Sequence, residues 1–133
     1  PLPRYTTVSG IPVTEMIAAD KSESIIHRTK VGGGELVNLM GTSAWYAPGA
    51  AAAQMVEAIV RDQKRIFPCC AWLQGEYGQK DTTLGGPVKL GKKGIEQIIE
   101  LKLNTEEKQL LDGSAKAVKE VMNVLDGMQQ PVK

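Results

Sequence analysis

The sequence contains few of the side chains that most often perform catalysis. Its 133 residues include one histidine and two cysteines, Cys69 and Cys70. No Cys/His spacing suits a metal site. Sixteen basic and fifteen acidic side chains give a net charge of +1, which offers no electrostatic reason to expect nucleic acid or an anionic membrane as a partner.

Long apolar runs are also missing. The longest candidate, residues 50–60, is interrupted by Gln54 and Glu57, so we expect no membrane span and no signal peptide. Cys69 and Cys70 lie in an apolar run, where we expect two buried thiols in a reducing cytoplasm and no disulfide. The length and the 42% hydrophobic content are those of one soluble globular domain.

Hydrophobic periodicity predicts helices in the first half of the chain. We expect a short helix over residues 15–19, a long helix from Ser22 to Met40, and an alanine-rich, buried helix that begins near Pro48. Residues 32–34 are three glycines inside the long helix. Each costs about 1 kcal/mol relative to alanine in a helix, so we expect a close neighbour that leaves no room for a Cβ.

Strands follow in the second half. Residues 65–73 predict a buried strand, which Pro68 places at a sheet edge or a bulge. Residues 75–86 are rich in turn formers, residues 87–90 predict a short strand, and residues 91–94 predict a tight turn into another strand.

The strand that follows this turn is succeeded by a helix. In residues 99–103 apolar and polar side chains alternate, as in a strand. Asn104 with Glu107 three residues later is typical of a helix N-cap, and a loose tail is expected from Gly127. The apolar residues of this amphipathic helix are Leu111, Ala115, Val118, Met122 and Leu125. This order predicts an α+β fold in which long helices pack on a small antiparallel sheet.

Two features suggest chemistry that their context does not support. Residues 86–93 almost match a phosphate-binding loop, but Lys93 replaces the required Ser or Thr, and strands flank the motif on both sides. We therefore expect a hairpin there. His27 has Glu23 one helical turn before it, yet a solvent-facing histidine is the better interpretation than a general base.

The segment Thr-Ser-Ala-Trp-Tyr-Ala-Pro, residues 42–48, is the best candidate for a binding surface. Its small and hydroxyl-bearing side chains precede the first turn of a helix, whose free N–H groups attract anions. A tight loop with no ligand is the alternative.

Several motifs together resemble the C-terminal half of malate dehydrogenases of the lactate-dehydrogenase-like bacterial type. Each motif alone is weak, whereas their order and spacing are specific. They are PRYTTVSGIPV at residues 3–13, GGGELV at 32–37, GTSAWYAP at 41–48, GEYG at 75–78, GPVKLG at 86–91, and residues 94–103.

The resemblance implies that residues 1–133 form a C-terminal substrate and oligomerisation domain. In that family an N-terminal domain binds NAD, so the catalytic histidine–aspartate pair and the substrate-binding arginines are expected upstream of Pro1. By similarity, Ser43, Ala44 and Gly33 contact the substrate and Pro48 lies at the nicotinamide end of the cofactor. No residue of this chain matches a catalytic position, so the resemblance implies that the chain alone is inactive.

The resemblance further implies malate and oxaloacetate as substrates, a cytoplasmic location and a homo-oligomer, either a dimer or a tetramer. Two alternatives stay open. The chain could be the C-terminal domain of a lactate dehydrogenase, since the residues that separate the two substrates lie upstream. It could also be a non-catalytic interaction module.

Overall fold

A computed structural model of the chain describes residues 1–128, which form two compact units. Unit 1 covers residues 1–50 and unit 2 starts at residue 51, so the boundary falls inside the third helix. Every helix of the described residues is too short or too polar to cross a bilayer.

Unit 1 begins with a 3-10 turn and a small hairpin. β1 (Thr7–Val8) pairs antiparallel with β2 (Ile11–Pro12). Ser9 and Gly10, which join the strands, have φ values of 50° and 87°, the left-handed backbone that a tight two-residue hairpin requires. α1 (Val13–Met16) follows and is shorter than the predicted first helix.

α2 (Ala19–Met40) is one continuous helix through its three glycines, as the periodicity predicted. It ends at Gly41, whose φ is 72° and whose N–H donates to the Val37 carbonyl at 2.8 Å. The expected close neighbour is not found. Apart from its chain neighbours and the adjacent backbone of α2, a Cβ on any glycine of residues 32–34 would meet no atom of the described residues within 4 Å.

α3 (Tyr46–Val60) contains Pro48 in its first turn, as predicted, where the missing N–H removes no helical hydrogen bond. The prediction that this alanine-rich helix is buried is wrong for most of its length. Ala58 is fully buried, but residues 50–53 are all exposed in the described structure.

Unit 2 is built on an antiparallel sheet in the order β3–β4–β5. β3 (Arg65–Gln74) pairs with β4 (Lys80–Gly91), which turns through two residues into β5 (Gly94–Ile98). This hairpin confirms that the near-match to a phosphate-binding loop is a turn between strands. β3 is an edge strand, where Pro68 is tolerated because one side of the strand needs no donor.

The turn predicted over residues 75–86 is too long. β4 already starts at Lys80, and it pairs with nearly the whole of β3. The register shifts near its start, at Asp81, whose φ of 54° fits a bulge. Residues that usually form turns are therefore held in a strand here, because β4 pairs with β3.

The strand predicted through residues 99–103 is also wrong, because β5 ends at Ile98. Tyr77 holds the chain that follows. Its hydroxyl accepts a hydrogen bond from the Leu101 N–H and donates one to the Ile99 carbonyl, both at 3.0 Å. A side chain thus satisfies backbone groups that a neighbouring strand would otherwise pair.

α4 (Thr105–Met128) packs against the inner face of the sheet. Its predicted cap is confirmed. The Asn104 N–H donates to Glu107 Oε2 at 2.9 Å, and the Glu107 N–H donates to Asn104 Oδ1 at 2.8 Å. Most of the expected loose tail, residues 129–133, lies outside the described residues. The buried apolar residues of unit 2 are Ala58, Ala71, Leu73, Leu84, Val88, Leu90 and Ala115.

The two cysteines of β3 have different environments. Cys69 is half-buried and points to the core side, and burial raises the pKa of its thiol. Cys70 is exposed, so the prediction of two buried thiols is wrong for it. The cause is the alternation of side chains along a strand, which sends adjacent residues to opposite faces. Both thiols are free, in agreement with the prediction of no disulfide between them.

An ionic cluster joins the turn after α3 to the β4–β5 hairpin. Lys64 Nζ lies 2.9 Å from Asp62 Oδ1 and 2.9 Å from Glu96 Oε2, and the Lys92 N–H donates to Asp62 Oδ1 at 2.8 Å. The Lys92 N–H and then Lys64 lower the pKa of Asp62, and Lys64 lowers the pKa of Glu96. Both carboxylates raise the pKa of Lys64, Glu96 more strongly.

Gly91 is buried beneath this cluster, and we expect Gly91→Ala to destabilise unit 2. The new Cβ would lie 2.8 Å from Asp62 Oδ1 and would collide with the Glu96 carboxylate. Because Lys64 holds both groups, relief of the clash would break ion pairs. We expect a loss in the free energy of unfolding.

This loss can be measured by urea unfolding, followed by the fluorescence of Trp72 in a Trp45→Phe background. Gly85→Ala is the matched control, since a Cβ there meets nothing within 4 Å on the same strand. Equal stability of the two variants would show that the carboxylates move aside without cost.

Candidate functional site

The residues predicted to bind ligand all lie in unit 1. Ser43 and Ala44 are half-buried in the loop between α2 and α3, and Pro48 is exposed in the first turn of α3. Gly33 is exposed on α2, about 11 Å from the end of that helix at 1.5 Å per residue. Ser43, Ala44 and Pro48 are therefore close together in the chain, whereas Gly33 lies further back, inside α2.

Trp45 determines the geometry of this loop. Its φ is 66°, its N–H donates to Ser43 Oγ at 3.3 Å, and its carbonyl accepts from the Gly49 N–H at 3.0 Å. Through this last bond, the Trp45 carbonyl accepts the first helical hydrogen bond of α3. Because Ser43 Oγ acts as the acceptor for Trp45, its own proton is left to donate to a ligand.

The start of α3 adds two further donors. The backbone N–H groups of Tyr46 and Ala47 have no partner within the helix, and Pro48 has no N–H to offer. They lie at the positive end of the helix dipole. The Ser43 hydroxyl, three residues before Tyr46 in the chain, is a further neutral donor, and neutral donors at a helix start suit a carboxylate.

The four candidate residues provide no side chain that could act as a general acid or base near neutral pH. None of Ser43, Ala44, Gly33 and Pro48 titrates near neutral pH. His27 is exposed on α2, as predicted. Within residues 1–128 there is also no group of three or more His, Cys, Asp or Glu side chains that could hold a metal ion.

The resemblance places the catalytic histidine and aspartate upstream of Pro1. Pro1 is exposed, it lies close in sequence to the 3-10 turn Pro3–Tyr5, and it belongs to unit 1 together with the candidate loop. Neither Pro1 nor any later residue was predicted to be catalytic. The described residues do not test where the catalytic pair lies, so its placement upstream of Pro1 stays a prediction.

Trp45 is the feature of the loop that the sequence analysis missed. A bulky residue with positive φ is rare, because its Cβ crowds the following carbonyl. The one signal in the sequence was its position between Gly41, which ends α2, and Pro48, which lies in the first turn of α3. That spacing leaves a short connection between α2 and α3, and Trp45 within it takes a left-handed backbone conformation.

α2 also carries a shallow groove centred on Gly32, which lacks a side chain. Arg28 and Glu35 flank it and form an ion pair at 3.2 Å. Its remaining lining residues are Ile25, Thr29, Leu36 and Leu39. None of the four predicted site residues lines this groove.

Residues 4–127 match the lactate/malate dehydrogenase, alpha/beta C-terminal domain. The chain belongs to the lactate/malate dehydrogenase family. This confirms both the family resemblance and the α+β fold that it implied.

Relatives within the lactate/malate dehydrogenase family are close in sequence. The malate dehydrogenase of Cytophaga hutchinsonii is 72% identical over 130 residues, which are 98% of this chain and 42% of that protein. The malate dehydrogenase of Salinibacter ruber is 60% identical over 115 residues, or 86% of this chain and 37% of that protein. The chain thus spans about two fifths of the length of these relatives.

Solved structures agree with this assignment. The malate dehydrogenase structure from Salinibacter ruber superimposes with a TM-score of 0.94 at 55% identity, over 97% of this chain and 42% of that one. The lactate dehydrogenase of Eimeria maxima, solved with NADH and oxamate, gives a TM-score of 0.88 at 41% identity, over 98% of this chain and 44% of that one. The fold is therefore shared by both branches of the family.

Proposed function

We propose that this chain is the substrate-side part of an NAD-dependent malate dehydrogenase, which interconverts (S)-malate and oxaloacetate in the tricarboxylic acid cycle. The observation that carries the proposal is the 72% identity to the Cytophaga hutchinsonii malate dehydrogenase over nearly the whole chain. Since the matched segment is 42% of that relative, the proposal assigns cofactor binding and proton transfer to residues outside this chain, upstream of Pro1.

Within the proposed enzyme, this chain supplies part of the substrate pocket. The Ser43 hydroxyl and the first N–H groups of α3 would donate to a substrate carboxylate. Ala44 would form a small, apolar part of the wall. Gly33 would leave room on α2, which agrees with the open space around the position of its missing Cβ.

NAD is the proposed cofactor, and we propose that this chain contacts only its nicotinamide end. Pro48 is exposed and apolar at the start of α3, which suits contact with a flat nicotinamide ring. A pyrophosphate needs a glycine-rich turn that opens a helix, and the glycine-rich run of residues 86–93 is instead a hairpin. The greater part of the cofactor would therefore bind to the preceding domain.

The substrate can be tested on the full-length gene product that contains this chain. We expect it to oxidise NADH faster with oxaloacetate than with pyruvate at equal concentrations. The discriminating side chain lies upstream, where an arginine would pair with the second carboxylate and a glutamine would not. A preference for pyruvate would instead establish a lactate dehydrogenase, which the similarity to the Eimeria maxima structure makes the second candidate.

In the same enzyme, we expect Ser43→Ala to raise the KM for oxaloacetate about tenfold, with a smaller change in kcat. Loss of one hydrogen bond to a charged group costs about 1.5 kcal/mol or more. Steady-state kinetics with varied oxaloacetate measures this change.

Two controls test whether the change in KM is specific to the Ser43 hydroxyl. Ser43→Thr keeps a hydroxyl and should keep the KM within about twofold. Thr42→Ala removes the neighbouring hydroxyl, which is exposed, and should have little effect. If Thr42→Ala raises the KM as much as Ser43→Ala does, the effect comes from a general disturbance of the loop, and a hydrogen bond from Ser43 to the substrate is not supported.

The proposed enzyme is a cytoplasmic homo-oligomer, either a dimer or a tetramer. Large apolar side chains exposed on the helices support this part of the proposal: Leu39 is 78%, Tyr46 85% and Val121 70% exposed. Such surface is normally covered by another domain or subunit. The same surface is what an interaction module without catalysis would use, and oxaloacetate turnover by the full-length gene product would exclude that alternative.

A further inference from the structure

We draw no further inference here: the strongest candidate, the exposed apolar face of α2 around Gly32 with Ile25, Leu36 and Leu39, is an unpartnered helix face, and nothing in the structure shows what covers it.

Discussion

The purified 133-residue chain is expected to show no oxidation of NADH in the presence of oxaloacetate above the rate in buffer. Hydride transfer in this family needs a bound dinucleotide and a group that exchanges the hydroxyl proton. The candidate loop offers only neutral donors, and the single histidine of the sequence, His27, is exposed on α2. Absorbance of NADH at high protein concentration is the measurement.

The full-length gene product is the positive control for this prediction. His27→Gln in that protein should leave oxaloacetate reduction unchanged, because His27 does not match the catalytic position of the family. Turnover by the 133-residue chain that disappears in its His27→Gln variant would make His27 the catalyst. It would also overturn the placement of the proton-transfer pair upstream of Pro1.

Leu73→Ala is expected to lower the free energy of unfolding of unit 2 by about 3 kcal/mol, roughly a hundredfold in the unfolding equilibrium. Leu73 is 2% exposed and lies on the inner face of β3, opposite Thr82 of β4. Its side chain belongs to the cluster that joins the sheet to α4. Truncation would remove apolar contacts and leave a cavity that a paired strand cannot close.

Urea unfolding of the chain, again with Trp72 as the reporter in a Trp45→Phe background, measures this loss. Ile66→Ala is the matched control, since Ile66 is on the same strand but 60% exposed. It should cost less than about 1 kcal/mol. A larger loss for Ile66→Ala than for Leu73→Ala would mean that the other face of the sheet is the one that is covered.

Local features of the fold were predicted well. The long α2, the cap of α4 at Asn104 and Glu107, and the turn between β4 and β5 all follow from residues close together in the sequence. Helical hydrogen bonds, caps and two-residue turns join neighbours in the chain, so the sequence predicts them without knowledge of the rest of the fold. The motifs that identify the family are local in the same sense.

Features that depend on distant residues were predicted poorly. The start of β4 at Lys80 is set by its pairing with β3, and the end of β5 at Ile98 is followed by a segment that Tyr77 holds. Cys70 was placed in the core because its neighbours are apolar. Only the pairing of β3 shows which face each cysteine occupies.

The candidate site shows the same division. The sequence pointed to residues 42–48 through their small side chains and the helix start, and the structure bears out the loop and the first turn of α3. The sequence did not indicate the left-handed backbone of Trp45 or its hydrogen bond to Ser43 Oγ. Whether Ser43, Ala44, Gly33 and Pro48 bind ligand stays a prediction.

By itself, the sequence determined the family, the class of fold and the scarcity of catalytic side chains, because these depend on residue identity and short-range spacing. The tertiary structure decided where a glycine is crowded by other side chains. The glycines of residues 32–34 have open space around them, whereas Gly91 lies under two carboxylates brought there from Asp62 and Glu96. Crowding of that kind depends on which distant residues meet, and the fold alone brings them together.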